Sequence, residues 1–258
     1  MIGKKGQVTI FIIIAIIIVA GALLVYSFFP NIQTSLGLTV QNPQQFIQSC
    51  VEGEISDSVG VLSEQGGSLE PQHYILYNDD KIEYLCYTNE FYKNCIVQQP
   101  LLKEHIETEI LGRINEDVNA CFNSLKENLE GRGYNVAMNS GDKIVELLPA
   151  KIISTFDYSV TLTKGEDVQR YESFNVVVDN NLYELVTIGN SILKWETVYG
   201  DAETTVYMDY YHDLKVEKKV QGDGTTVYIL TDRNTEDKFQ FASRSVVMPP
   251  GFGVGEVQ

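Results

Sequence analysis

Between Lys5 and Glu52 the chain carries no charged side chain. Histidine is scarce, with three in 258 residues, and neither H-E-x-x-H nor paired C-x-x-C occurs. The common zinc-site spacings are therefore missing. Ser191 lies in Gly189-Asn190-Ser191-Ile192, not in G-x-S-x-G, so no nucleophile elbow is visible. Gly222-Asp223-Gly224 has the composition of a turn, not of a phosphate loop. No N-x-S/T triplet occurs, so N-glycosylation has no acceptor. Bases are few, 19 against 35 acids, for a net charge of −16. That balance argues against nucleic acid and anionic lipid surfaces as partners. The expectation is a protein that is not an enzyme and needs no cofactor and no metal.

What is present begins with residues 8–29, VTIFIIIAIIIVAGALLVYSFF. This stretch has no charge and only three hydroxyl side chains, Thr9, Tyr26 and Ser27. As a helix it would be about 33 Å long, the thickness of a bilayer core. It is apolar on every face, so it lacks the single stripe of a soluble helix. β-Branched residues do not oppose a helix here, because a lone strand in lipid leaves its backbone unsatisfied. Lys4 and Lys5 precede the span. The positive-inside rule then puts residues 1–7 in the cytoplasm and everything beyond the span outside. A removed secretory signal has a shorter apolar core and a small-residue cleavage site. Tyr26-Ser27-Phe28-Phe29-Pro30 fits such a site poorly, which favours a retained span.

The run Lys4-Lys5-Gly6-Gln7-Val8-Thr9-Ile10-Phe11 resembles the class III signal of type IV pilins and archaeal pilin-like proteins. The resemblance covers about the first thirty residues and implies processing between Gly6 and Gln7. It also implies self-association through the N-terminal helix. Bacterial pilins carry Glu five residues after the cut, and Phe11 stands there in this chain; archaeal members often lack that Glu. An uncut signal anchor with basic flanks is the alternative.

About 228 residues follow Pro30, enough for one large domain or two small ones. That outer part carries 17 bases and 35 acids, a net −18. Residues 30–42 read as a linker. Asn42-Pro43 has the chemistry of a helix start, with Asn as cap and Pro at the first helical position. Phe46, Ile47, Cys50, Val51, Ile55, Val59 and Leu62 form one stripe, and Gly66-Gly67 ends it. HYILYN, KIEYLCY and FYKNCIV, within residues 73–97, read as three strands separated by turn residues. Residues 101–130 are a long amphipathic helix, with Ile106, Ile110, Ile114, Val118, Cys121 and Phe122 on its apolar side.

Four cysteines, Cys50, Cys86, Cys95 and Cys121, all lie on the outer side, where an even number reads as disulfides. Cys50 and Cys121 sit on the apolar stripes of two helices, and Cys86 and Cys95 flank one turn. This favours Cys50–Cys121 with Cys86–Cys95. Reduced core thiols at 50 and 121 are the alternative.

From Tyr134 the period becomes two. Tyr134 to Met138 and Ile144 to Leu148 read as strands around a turn at Asn139-Ser140-Gly141-Asp142. A third strand carries Phe156, Tyr158, Val160 and Leu162. A fourth carries Val168, Phe174, Val176 and Val178 on one face. Asp179 or Asn180 caps another helix, residues 201–212 are helix or loop, and a last strand unit ends near Val247. Residues 249–258 read as a disordered tail. The helix–meander–helix order and the final Phe239-Gln240-Phe241-Ala242-Ser243-Arg244 unit also resemble a group of uncharacterised single-span archaeal surface proteins, which implies no activity.

The expected architecture is α+β. An N-terminal transmembrane helix precedes an extracytoplasmic domain, residues 43–248, of amphipathic helices on antiparallel sheet. Glu104, His105 and Glu109 share the long helix and read as a solvated face before a metal site. Tyr207, Tyr210 and Tyr211 beside His212 read as packing or as a recognition patch. Two functions fit: a structural or interaction protein of the cell surface, or an anchored ligand-binding module. The lipid bilayer is the one partner implied directly. A membrane-impermeant protease added to intact cells should reach residues beyond Pro30 and spare Lys4; protection of the large domain would overturn the outside assignment.

Overall fold

The Asn42 side chain accepts a hydrogen bond from the Gln44 backbone N–H at 3.0 Å, and Pro43 takes the first helical position. This cap starts α1 (Pro43–Glu64) and satisfies one of the orphan donors of its first turn. The computed structural model describes residues 42–247. The expectations for the leader with Gly6 and Gln7, the span 8–29, the linker up to residue 41 and the tail 249–258 all lie outside the described residues. Among the described residues, no helix is long and apolar enough to cross a membrane.

α1 buries Ile47, Val51, Ile55, Val59 and Leu62, spaced three or four apart. Cys50 departs from the expected stripe: it is exposed, at the flank of the helix. Past the end of α1 the chain turns through Gly66 and Gly67, with φ of +80° and +95°. That left-handed backbone suits residues without a Cβ.

The next strands are β1 (Tyr74–Tyr77), β2 (Asp80–Tyr87) and β3 (Ile96–Val97). The third is far shorter than expected, pairing only Cys86 with Val97 and Tyr87 with Ile96. α2 (Leu102–Glu130) follows, with Ile106, Ile110, Ile114, Val118, Phe122, Leu125 and Leu129 buried.

β4 (Asn135–Leu148) and β5 (Lys151–Lys164) form a long antiparallel hairpin. This corrects the expected turn at Asn139-Ser140-Gly141-Asp142. That segment is a bulge inside one continuous strand, with register shifting between Ser140 and Lys143. Its composition suits either device, since a bulge also needs a residue that tolerates close backbone approach. A Cβ on Gly141 would lie 2.6 Å from the Asp157 carbonyl oxygen. The expected fourth strand is also divided. β6 (Asp167–Tyr171) and β7 (Phe174–Asp179) pair successive halves of the same β5 edge. Only the second half is amphipathic: Phe174, Val176 and Val178 are buried, whereas Val168 is exposed.

α3 (Leu182–Tyr199) starts after Asn181, whose side chain makes no cap bond; Asn180, one of the two expected caps, accepts from the Leu182 N–H at 2.8 Å. α4 (Thr205–Tyr210) resolves the ambiguous segment as a short helix. β8 (Leu214–Val220), β9 (Thr225–Asp232) and β10 (Lys238–Arg244) close the fold.

Two sheets result. One has the order β1-β2-β10-β9-β8 with β3 beside β2; the other is β4-β5-β6 with β7 also on β5. The first is not wholly antiparallel, because β10 pairs β2 in parallel. Two strands so distant in sequence meet only when the complete fold assembles, so no local pattern announces the pairing. α1 contacts α2, β7, β10 and β2, and thus touches both sheets. On α2, Phe122 stacks on Tyr158 with ring centroids 3.6 Å apart and meets Phe174 edge-on at 5.0 Å. Phe122→Ala should lower stability by about 3–5 kcal/mol in urea unfolding, since the ring is fully buried and its space cannot collapse. Phe91→Ala, at an exposed ring, should change the midpoint little; equal losses in the two variants would refute this account of the core.

Candidate functional site

The cysteines are all paired. Cys50 joins Cys121 with Cα atoms 6.0 Å apart, and Cys86 joins Cys95 at 5.3 Å. The first bridge ties the flank of α1 to the middle of α2. The second holds the loop between β2 and β3. That loop also bonds α3, because the Asn94 amide donates to the carbonyls of Thr197 and Val198 at 3.1 and 2.7 Å.

Polar side chains cluster in two places, the first of which takes in His105 and Glu109 from the group expected to be a solvated face, while no expectation from the sequence marked the second. The first surrounds the turn after α1. Ser68 Oγ donates to a Glu83 carboxylate oxygen and lies 2.9 Å from His105 Nε2. The Leu69 N–H donates to Glu109 Oε2 at 2.9 Å. His105 and Glu109, four residues apart on α2, therefore grip the turn instead of facing open solvent, while Glu104 stays exposed. The grouping contains a serine, an imidazole and a carboxylate, but a nucleophilic serine must pass its proton to the imidazole. Here the Ser68 hydroxyl is bonded to Glu83, and Ser68 is buried. The arrangement works as a latch between α1, β2 and α2. Burial pushes the Glu83 carboxyl above the ordinary carboxylate range, opposed by the Ser68 hydrogen bond and the nearby His105.

The second cluster lies under α3. Glu196 occupies a position in the apolar stripe and is almost wholly buried, 2 % exposed. Tyr228 donates its hydroxyl to one Glu196 oxygen, and Ser243 donates to the other at 3.0 Å. Two hydroxyl donors on opposite oxygens are what an acceptor-only carboxylate requires. Burial, and then the Glu196 charge, push the Tyr228 phenol strongly upward, so it stays protonated as a donor. Ser243 in turn sits 3.5 Å from Cys95 Sγ, and the Cys95 N–H donates to Ser245 Oγ at 3.1 Å. The network thus runs from α3 through β9 and β10 to the second disulfide. Its one sequence signal was a carboxylate at the fourth position after Ile192 in an apolar stripe.

A cavity of about 300 Å³ opens between α1, the end of β7 and the β9–β10 turn; Ser63, Glu64, Asp179, Glu236 and Lys238 line it. Among the described residues, no three His, Cys, Asp or Glu side chains are grouped to hold a metal ion. Exposed aromatic rings gather on α3 and α4. Trp195 and Tyr199 lie 5.2 Å apart, and Tyr210 and Tyr211 are 4.8 Å apart. The processing pair Gly6 and Gln7 lies outside the described residues.

No protein-family model matches the chain, and comparison with curated proteins and with solved structures finds no significant match. The described residues form a disulfide-stapled α+β domain with two clusters of hydrogen-bonded buried polar side chains.

The Glu83 shift has a direction that can be measured. The native carboxyl holds its proton to higher pH than the unfolded one, so the native state binds more protons in that window. Stability then falls as pH rises from the unfolded value of 4.5 through the higher native value. Glu83→Gln should flatten that fall in urea midpoints taken from about pH 4 to pH 8. An unchanged slope would show that Glu83 does not carry it.

Proposed function

We propose that the protein is a membrane-anchored extracytoplasmic structural or interaction protein, with its N-terminal segment used as in pilin-like surface subunits. The carrying observation is one of sequence: an uncharged apolar stretch, residues 8–29, directly follows Lys4-Lys5-Gly6 and leads into an acidic domain. Two disulfides in that domain support an oxidising, extracytoplasmic compartment. The two clusters around Glu83 and Glu196 tie helices to sheets through hydrogen bonds, which suits a rigid display domain.

In this reading residues 8–29 form a single transmembrane helix with the amino end in the cytoplasm. Cutting after Gly6 removes Lys4 and Lys5, the charges that resist extraction of the helix from the bilayer. The helix is apolar all round and loses little by exchanging lipid for identical helices. Phe11 offers no carboxylate to pair with the new amino group, so register in an assembly comes from side-chain packing.

The cavity beside α1 supports a second reading, an anchored binding module for a small solute. Its volume of about 300 Å³ lies at the lower end for small-molecule sites. Formation of filaments by the purified protein separates the two, since a solute-binding module needs none.

N-terminal sequencing of protein from its own cells should find Gln7 first, and Gly6→Val should block that cut by crowding the peptidase site. An intact Met1, or Ile2 after methionine removal, would leave the uncut signal anchor in its place.

A further inference from the structure

We propose that the exposed rings of α3 and α4 are a docking surface for a cationic protein segment, one bearing arginine or lysine side chains. This deepens the interaction reading above and rests on it.

Three observations converge. First, α4 buries none of its six residues, yet four of them are Val206, Tyr207, Met208 and Tyr210. A helix so short has no independent stability. It is held by its neighbours: Tyr207 Oη lies 2.7 Å from Ser191 Oγ on α3, and Met208 Sδ accepts the Val216 N–H at 3.4 Å. Second, that attachment joins α4 to the edge of α3 that carries its exposed rings. Ser191, Trp195 and Tyr199 are spaced by four and so share one edge of α3. Tyr207 reaches the first of them, which brings α4 alongside that edge. Tyr199 is 64 % exposed and Tyr210 77 %. Third, the rim is acidic. Asp201, Glu203, Asp209 and Asp213 are exposed and adjoin Tyr199, Tyr210 and Tyr211 in sequence. Hydrogen bonds from the Thr205 hydroxyl and backbone hold the Glu203 carboxyl below the ordinary range, so it stays charged. Lys218 pairs with Asp201 and offsets one of the four, and Lys194 is exposed on α3.

Open ring faces attract cations through their quadrupole, and guanidinium is the best-suited side chain for stacking on them. The acid rim supplies the matching charge and the steering. A second copy of this chain is disfavoured, because its outer part carries the same net −18.

Trp195 is the chain's one tryptophan, so its emission reads this surface directly. The test uses the full chain in phosphatidylcholine nanodiscs at low salt, titrated with a hexa-arginine peptide. The expected result is saturable quenching or shift of the Trp195 emission that weakens as salt is added. Tyr199→Ala combined with Tyr210→Ala should weaken binding roughly tenfold. Asp209→Asn should weaken it, whereas Asp167→Asn, an equal loss of charge on β6, should not. Equal effects of Asp209→Asn and Asp167→Asn, or indifference to loss of the tyrosines, would show general charge attraction and overturn the proposal. A Trp195 shift without peptide, caused by lipid or by raising the protein concentration, would assign the surface to the bilayer or to a second copy and overturn it too. None of these outcomes bears on cutting after Gly6, so the docking surface and the pilin-like reading can fail separately.

Discussion

The structure depends on the burial of one face of α1 against both sheets at once. Ile47, Val51, Ile55 and Leu62 are each 0 % exposed, and the helix touches α2, β7, β10 and β2. Each sheet has its own strand order, and no strand is shared between them. α1 joins them through its apolar side, and α3 also touches both, meeting β2, β9 and β10 of one sheet and β4 of the other. Fully burying four aliphatic side chains is worth about 1.5–3 kcal/mol each, comparable in sum to the net stability of a small domain. The Cys50–Cys121 bridge adds to this at the helix flank, away from the core. By closing a separation of 71 residues it limits the unfolded chain, while the fit of α1 against the sheets remains the work of packing.

The buried polar groups follow from the same arrangement. Bringing β2, α2 and the turn after α1 together encloses Ser68 and part of Glu83, and the enclosed groups must then bond one another. Under α3 the same necessity joins Glu196 to Tyr228 and Ser243. Neither carboxylate faces a buried cation; each is met by hydroxyl donors, which satisfy oxygen lone pairs without a second desolvated charge. These clusters specify how the helices seat on the sheets. A seating error of one position would leave a carboxylate unbonded, which costs more than the hydrogen bonds gain.

The surface is organised differently from the interior. Its acids outnumber its bases, and exposed aromatic rings occur on α3, on α4 and in the loop held by Cys86–Cys95. That loop exposes Phe91 and Tyr92, yet its backbone is fixed by the bridge and by Asn94 on the end of α3. Rigid backbone with exposed rings lowers the ordering cost of an encounter. For the membrane-anchored display domain proposed above, such surfaces are where contact with other proteins can be made without remodelling the fold.

The sequence by itself determined the three long helices and favoured the cysteine pairing that the structure has. α1 and α2 each repeat an apolar residue every three or four positions, and that period is a local property readable without knowing the partner surface. Cys86 and Cys95 flank one short loop, which pointed to their pairing, and that left Cys50 with Cys121, although Cys50 lies at the exposed flank of its helix and not on the stripe. The tertiary structure alone decided the rest. Asn139-Ser140-Gly141-Asp142 has turn chemistry, but β5 continues opposite it and makes it a bulge. Val168 alternates as Phe174 does, yet only the latter half of that run meets the helices. The parallel contact of β10 with β2, and the meeting of His105 with Ser68 and of Glu196 with Tyr228, join residues far apart in the chain. Such contacts depend on how separate elements stack, and the energy that selects them exists only once the elements are packed.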